Sequence, residues 1–139
     1  MARTIQVLVI EGDRLSRILL RGILEGEGLQ VIGAGEEQMG VSVVRAAPCD
    51  LLIGELMLSE IEDEAILPVL LREFPELRII VLGGREVCRR MQRVFPEPLR
   101  SSRLRILEKP VFRQELLRTI QELFPEWQPM DLAWEQRGL

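Results

Sequence analysis

The chain has 139 residues, of which 47% are hydrophobic, and a formal net charge of −4. That length suits a single domain that buries about two-thirds of its unfolded surface, and so modest a charge specifies no partner. The sequence contains no histidine, which excludes a histidine general base, a histidine metal ligand and a phosphohistidine relay within this chain. Cys49 and Cys88 are too few for a zinc cluster or a disulfide framework, so we expect small core thiols in a reducing compartment. No apolar run has the length of a membrane span and no signal peptide precedes the first strand, which predicts a cytoplasmic protein.

Strands and helices alternate in the predicted structure. The run at 5–10 is rich in β-branched residues, as in a strand buried on both faces. Asp13 is the predicted cap of a helix that ends at Gly26 and Gly28. The apolar positions of this helix are Leu15, Ile18, Leu19, Ile23 and Leu24. The same alternation predicts strands over 29–32, 51–53, 77–82 and 104–107, and helices over 36–46, 63–74, 85–95 and 111–124.

Five strand–helix units of this length predict an α/β fold. We expect a doubly wound (βα)5 three-layer sandwich over 1–124, with a parallel sheet in the strand order 2-1-3-4-5. Residues 125–139 form a tail or linker that is rich in apolar residues. Ligands of such folds lie beyond the carboxyl ends of the strands. The candidate site residues are therefore those that follow strands, namely Glu11, Gly12, Asp13, Glu55, Gly83, Gly84, Glu108 and Lys109.

Lys109 is the only lysine in a chain with seventeen arginines. Lysine offers a compact point charge on a flexible stem, whereas arginine offers a broad planar fork. The presence of Lys109 at the end of the fifth predicted strand therefore indicates an anionic site that an arginine would not fit. The alternative is a lysine that persists by chance on the surface.

Four segments, in this order and spacing, resemble the receiver domain of two-component response regulators over about 4–123. They are the strand that runs into Glu11-Gly12-Asp13, the strand that leads to Glu55, the strand before Gly83, and Leu107-Glu108-Lys109-Pro110. The resemblance implies a flavodoxin-like fold and a role in phosphorelay signal transduction. It also implies a site in which an aspartate accepts a phosphoryl group beside Mg²⁺.

Most of the positions that this resemblance assigns to the site are altered. Glu55 stands at the phosphoacceptor position, and Gly83 and Ile106 stand at the two switch positions, where the family has a hydroxyl residue and an aromatic residue. Of the three metal-ligand positions, the first is Glu11, the second is Gly12, and the third is the backbone of Met57. Only the conserved-type lysine, Lys109, is unaltered.

These changes predict that Mg²⁺ binding is weak or absent and that the chain needs no cofactor. Mg²⁺ is usually held by one or two carboxylates with waters in an octahedral shell, and Gly12 removes one carboxylate. Asp13 could replace it, but capping a helix is the preferred reading. Because Glu55 is one methylene longer than aspartate, its carboxylate reaches toward Lys109. A plain buried network of Glu11, Glu55 and Lys109 is the structural alternative, and it too would hold the site in one state.

Positive charge is concentrated in residues 85–105, which contain seven arginines and two acidic residues. We predict an interaction surface here, formed by Arg85, Arg89, Arg90, Arg93 and Arg105. The resemblance places it on the face of helix 4, strand 5 and helix 5, which would bind a protein partner or form a homodimer. A solvated arginine-rich helix is the alternative. Direct nucleic-acid binding is not expected, because the sequence has no helix-turn-helix or RNA-binding signature, and no membrane partner is expected.

The combined reading is a degenerate receiver domain, or pseudo-receiver, that is not an enzyme. It would act without phosphorylation, as a protein-interaction or dimerisation module. The first alternative is a phosphorylatable response regulator with a modified acceptor site. The second is a small α/β enzyme or nucleotide-binding domain, which is disfavoured because no glycine-rich phosphate loop follows the first strand and no histidine can serve as a base.

Overall fold

A computed structural model describes residues 4–55, 66–95, 97 and 102–129 of the chain. Strands and helices alternate throughout this part. The strands are β1 (Gln6–Ile10), β2 (Gln30–Ala34), β3 (Leu51–Gly54), β4 (Arg78–Gly83) and β5 (Leu104–Glu108). The helices are α1 (Arg14–Gly26), α2 (Glu37–Ala46), α3 (Ile66–Glu73), α4 (Arg85–Val94) and α5 (Arg113–Leu123). Each predicted element is present with small shifts at its ends, and the predicted start of the third helix, at residue 63, lies outside the described residues.

The five strands form one parallel sheet in the order β2-β1-β3-β4-β5, which confirms the predicted α/β topology. At the carboxyl end of β1, Ile10 lies opposite Ala34 of β2 and Gly54 of β3. At the same edge, Gly83 of β4 lies opposite Glu108 of β5. The residues that follow β1, β3 and β5 therefore emerge side by side, because parallel strands end at a common edge.

Apolar side chains on the two faces of the sheet form two cores. Alternate strand residues point to opposite faces, so Leu8 belongs to one core while Val7 and Val9 belong to the other. The first core is covered by α2, α3 and α4, and the second by α1 and α5. The face predicted to be apolar on the last helix, formed by Leu116, Leu117, Ile120 and Leu123, is fully buried.

Helix α1 uses only part of its apolar surface to contact the sheet. Leu24 is buried and Leu20 packs against the second core. By contrast, Leu15, Ile18 and Leu19 are each more than half exposed. The spacing of apolar residues correctly predicted the helix, but α1 carries more apolar residues than one contact with the sheet can cover.

Helix α2 approaches β1 closely at Gly40. A Cβ atom built on Gly40 would lie within 3.0 Å of the Ile10 side chain, so the two elements can meet here only because residue 40 has no side chain. Gly40 weakens the helix in isolation, but it allows Ile10, at the end of β1, to be buried in the first core.

Arg103, just before β5, binds the backbone of the neighbouring elements. Its guanidinium donates to the carbonyl oxygens of Leu71 at 3.2 Å, Phe74 at 2.6 Å and Leu77 at 3.0 Å. Burial lowers the pKa of Arg103, yet an arginine remains charged at neutral pH. The side chain therefore ties the end of α3 and the start of β4 to the segment that enters β5.

None of the helices in the described segments is long and apolar enough to cross a membrane.

Candidate functional site

The carboxyl edge of the sheet brings together Glu11, Glu55 and Lys109. Glu11 follows β1, and its N–H donates to the carbonyl oxygen of Ala34 at 3.0 Å. Glu55 follows β3 directly. Lys109 follows β5, and its N–H donates to the carbonyl oxygen of Gly83 at 2.8 Å. Backbone pairing thus fixes two of these residues at the same end of the sheet.

The ammonium group of Lys109 bridges the two carboxylates. Its Nζ contacts Oε1 of Glu55 and lies 3.5 Å from Oε2 of Glu11. The three side chains differ in burial, with 5% of Glu11, 42% of Glu55 and 37% of Lys109 exposed. Lys109 therefore joins one carboxylate that is buried to another that remains partly in water.

Glu11 depends on this cation. Its Oε1 accepts a hydrogen bond from the N–H of Asp13 at 3.1 Å. Its Oε2 is buried and has no hydrogen-bond partner among the described residues. A buried carboxylate without compensation is costly, so the positive charge of Lys109 is what balances this oxygen.

Asp13 is turned toward its own helix. Its Oδ2 accepts hydrogen bonds from the N–H of Ser16 at 2.9 Å and from the hydroxyl of Ser16 at 2.7 Å. These bonds hold the pKa of Asp13 below its usual value. The geometry is that of a helix N-cap, which confirms the preferred reading of this residue.

The described residues do not fit the Mg²⁺ site that the receiver resemblance implies. Gly12 offers no side-chain oxygen, Asp13 is committed to capping, and the ammonium of Lys109 bridges Glu11 and Glu55. No group of three or more acidic or cysteine side chains in the described segments could hold a metal. Met57, whose backbone was the third predicted ligand position, lies outside the described residues. A Cβ on Gly12 would make only an ordinary contact, 3.7 Å from the carbonyl oxygen of Gly35. Position 12 therefore lacks a metal ligand because glycine has no side-chain oxygen, and not because a Cβ atom would be too crowded there.

The two predicted switch positions lie in apolar surroundings. A Cβ on Gly83 would come within 2.9 Å of Cγ1 and 3.0 Å of Cβ of Val87. The space for a side chain at position 83 is thus taken by Val87, a stiff β-branched residue in the first turn of α4. Ile106 is half-buried, lies opposite Val81 in the sheet and packs against the first core.

Arg17 and Val87 are site neighbours that the sequence did not reveal. The Nη1 of Arg17 donates to the carbonyl oxygen of Glu11 at 2.6 Å. Its side chain runs past Gly33 and Gly35, where added Cβ atoms would lie 3.3 Å and 3.2 Å from it. Gly33 and Gly35, after the second predicted strand, were the only signal in the sequence. Such a pair of glycines indicates a turn as readily as a backbone surface along which a long side chain can lie.

The residues of the predicted interaction surface are divided between the two faces of the sheet, since α4 covers the first core whereas α5, like α1, covers the second. Arg85, Arg89, Arg90 and Arg93 are exposed along α4. Arg105 of β5 is half-buried, and its Nη2 lies 2.7 Å from Oε1 of Glu122 on α5. Its charge is therefore partly balanced, whereas the α4 arginines project into solvent.

We found no match to this chain among protein-family models or among curated protein sequences. Solved structures do resemble it. The chemotaxis protein CheY4 of Vibrio cholerae is 19% identical with a TM-score of 0.67, over 88% of this chain and 100% of that chain. A response regulator receiver domain protein of Methanospirillum hungatei is 19% identical with a TM-score of 0.70, over 89% and 96% of the two chains. A receiver domain protein of Clostridium thermocellum is 18% identical with a TM-score of 0.68, over 88% and 96%. At such identity the likeness establishes the fold, which is the flavodoxin-like fold of response regulator receiver domains.

Proposed function

We propose that this chain is a receiver-like module of two-component signalling that works without phosphorylation. The observation that carries the proposal is the contact between the ammonium of Lys109 and the carboxylate of Glu55. Several solved structures with this fold are named as receiver domains or response regulators, which supports the signalling context. Receiver domains are in general binding modules and not enzymes, and we propose the same of this chain.

Phosphoryl transfer to a carboxylate needs a free oxygen, together with cations placed around the transferred group. Here the oxygen of Glu55 is engaged by Lys109, and the second metal-ligand position is Gly12. The Glu55 carboxylate therefore already gives Lys109 the negatively charged partner that a phosphoryl group would give it after phosphorylation. In this proposal the fixed pair holds the molecule in one state.

The output surface in this proposal is the basic face defined by Arg85, Arg89, Arg90, Arg93 and Arg105. A symmetric homodimer through this face would place the arginines of one copy against those of the other, at an electrostatic cost. An acidic protein partner would instead be attracted to it. Of the two predicted occupants, the charge favours the acidic partner.

The proposal is tested by incubating the full chain with acetyl phosphate and Mg²⁺ and measuring its intact mass. We expect no gain of a phosphoryl group at Glu55. The variant E55D/G12D is the positive control, because a Cβ at position 12 would make only an ordinary contact, 3.7 Å from the carbonyl oxygen of Gly35, and the shorter acid at position 55 should release Lys109. A phosphoryl group mapped to Glu55 in the parent protein would establish the alternative, a response regulator with a modified acceptor.

A metal titration gives an independent readout. Backbone amide shifts of residues 11, 12 and 55 should stay unchanged at sub-millimolar Mg²⁺ in the parent protein. They should respond in G12D only when Lys109→Met is also present, because the ammonium otherwise competes for the same carboxylates. A saturable response of the parent centred on Glu11 would refute the proposed exclusion of Mg²⁺.

A further inference from the structure

Helix α1 has one exposed face that the described part of the chain does not cover. Leu15, Ile18 and Leu19 are each more than half exposed, and Gly22 and Gly26 are exposed further along the same helix. These five residues share one face, because residues three and four positions apart are neighbours on a helix surface. Contiguous exposed apolar residues on a small protein usually mark a surface that binds something. We call these five residues the α1 stripe.

Gly22 has no packing role within the described part of the chain. A glycine inside a helix destabilises it relative to alanine. Gly40 of α2 is explained by packing, because a Cβ there would clash with Ile10. A Cβ on Gly22, by contrast, would meet no described atom within 4 Å. Since glycine is suited to positions that a second backbone approaches closely, Gly22 points to a helix that packs on α1 from outside.

The α1 stripe is large at one end and small at the other. Its amino-terminal half consists of Leu15, Ile18 and Leu19, whereas its carboxyl-terminal half consists of Gly22 and Gly26. If two copies of α1 ran antiparallel about a twofold axis between positions 19 and 22, Leu19 of one copy would lie over Gly22 of the other. Leu15 would likewise lie over Gly26. Twofold symmetry makes each contact occur twice, so the stripe is complementary in size to a second copy of itself.

The charges beside the α1 stripe follow the same symmetry. Arg14 and Glu25 are both exposed, and they are about three helical turns apart, which places them on one side of the stripe. In the antiparallel pair, Arg14 of each copy would approach Glu25 of the other. Arg21 would lie near the axis, where its own Glu25 already balances it at 3.2 Å. The antiparallel arrangement also brings the positive end of each helix dipole beside the negative end of the other.

A groove on the other side of the stripe widens the apolar surface. It has a volume of about 310 Å³ and lies between α1 and the segment after β5. Phe112, at the end of that segment, is 68% exposed. The apolar residues that line the groove are Leu19, Leu20, Ile23, Leu82, Pro110 and Val111. A second copy seated on the stripe would therefore meet apolar surface beyond α1 itself.

We propose that this chain forms a symmetric dimer through the α1 stripe, with the two α1 helices packed antiparallel. A second copy is the occupant because the order of large and small residues, and that of positive and negative charges, each match their own reverse. Helix α4 covers the opposite face of the sheet from α1. The dimer would therefore leave the α4 arginines of both copies exposed to an acidic partner.

Sedimentation velocity of the full chain over increasing protein concentration tests the proposal. We expect a reversible equilibrium between monomer and dimer. Leu19→Ser should raise its dissociation constant by about tenfold or more, because a central apolar contact is lost twice. Val94→Ser, which alters an exposed apolar residue on α4, is the matched control and should leave the dissociation constant unchanged.

Gly22→Ala separates a role in dimerisation from a role in folding. Alanine favours the helix and its Cβ would meet no described atom, so the variant should melt at a higher temperature at concentrations where the chain is monomeric. The same methyl group should keep the two helices apart and raise the dissociation constant of the dimer. A gain in melting temperature without any loss of dimerisation would contradict close approach at position 22.

Charge variants show whether the partner is a second copy. Arg14→Glu and Glu25→Arg should each weaken dimerisation, because each places like charges together at both ends of the interface. An equimolar mixture of the two variants should associate more tightly than either alone, since both pairs are then opposite in sign. A chain that stays monomeric at every concentration, or a mixture that associates no better than its components, would overturn the proposal. A dimer that Val94→Ser weakens and Leu19→Ser does not would overturn it as well, because the interface would then lie on α4.

Discussion

Lys109 makes two unequal interactions, and their inequality determines what each substitution should cost. Its contact with Glu55 joins two side chains that are both partly exposed, at 37% and 42%. Its interaction with Glu11 serves a carboxylate that is only 5% exposed. Exposed ion pairs contribute about 0.2–1 kcal/mol, whereas removing the partner of a buried charge costs more. We therefore expect substitution of Lys109 to cost more stability than substitution of Glu55.

Lys109→Met should lower the free energy of unfolding by about 1–3 kcal/mol, because Glu11 loses its compensating charge. Glu55→Gln should cost about 1 kcal/mol or less, and the double variant should cost less than the sum. Urea denaturation of the four proteins measures the coupling. Additivity within about 0.5 kcal/mol would show that the pair does not interact. Arg21→Met, which breaks the exposed pair with Glu25, is the control and should change stability by no more than about 0.5 kcal/mol.

Gly83→Ser should destabilise the protein, because its Cβ would lie 2.9 Å from Cγ1 of Val87. Overpacking of this kind costs about 1–3 kcal/mol. Adding Val87→Ala should recover part of that loss by removing both methyl groups. Thermal denaturation of the two single variants and the double variant tests this. If Gly83→Ser were neutral while Val87 is present, position 83 would have space and the packing argument would be wrong.

At the level of single residues the sequence indicated which side chains share an edge but not how they touch. The chain position of Glu11, Glu55 and Lys109 after strands placed them together, because parallel strands share their carboxyl ends. The conflict between position 83 and Val87 depends on the angle at which α4 leaves β4, and the path of the Arg17 side chain depends on Gly33 in β2 and Gly35 just after it. The spacing of apolar residues along the chain predicts neither the angle between β4 and α4 nor the path of the Arg17 side chain.

Helix α1 begins at a cap whose strength depends on charge. Hydrogen bonds from Ser16 lower the pKa of Asp13, so the stabilisation is present above the ordinary carboxylate pKa of about 4. It is lost as the pH falls through the lowered pKa of the folded state, because protonation removes the charge that these bonds favour.

Asp13→Ala should therefore lower the melting temperature at neutral pH, and the difference from the parent should shrink below about pH 4. Asp13→Asn should keep most of the stability at neutral pH, because asparagine is an equally good N-cap, and its effect should depend less on pH. Melting temperatures of the three proteins across the acid range provide the measurement. A difference between Asp13→Ala and the parent that stayed constant down to pH 2 would show that the carboxylate charge is not involved.

The elements themselves were largely predictable, because runs of β-branched residues and helical spacing follow from local geometry. The orientation of α1 was not, because apolar residues occupy more of its circumference than the sheet can cover, so spacing alone could not tell Leu20 and Leu24 from Leu15, Ile18 and Leu19. Gly40 is the opposite case. It weakened the prediction of α2, yet its lack of a side chain is what allows α2 to pack on Ile10.

The charge of the whole molecule is separated, with exposed arginines along α4 on a protein whose net charge is −4. Such separation steers partners by sign and is screened by salt, because the Debye length falls from about 10 Å at 0.1 M to about 3 Å at 1 M. The molecule should therefore bind acidic partners in a manner that depends on ionic strength.

Polyglutamate should shift the amide resonances of α4 at low ionic strength, and the shifts should vanish at about 1 M salt. Charge reversal of a single α4 arginine with Arg89→Glu should weaken the response and R89E/R93E should abolish it, whereas the single reversal Arg14→Glu on α1, the match for Arg89→Glu, should leave the α4 response in place. Duplex DNA of the same charge concentration is the comparison ligand. Tighter binding of DNA than of polyglutamate would contradict the assignment of this face to a protein partner.

The hydrogen bonds of Arg103 have a consequence for tolerance to insertion. Because its guanidinium holds the carbonyl oxygens of Leu71, Phe74 and Leu77, the entry point of β5 is fixed from within the domain. The length of chain between α4 and residue 103 therefore need not set the register of β5 against β4. Extra residues placed between positions 97 and 102 would lengthen the connection while Lys109 kept its position, which makes this connection a natural place to attach a label or a second domain.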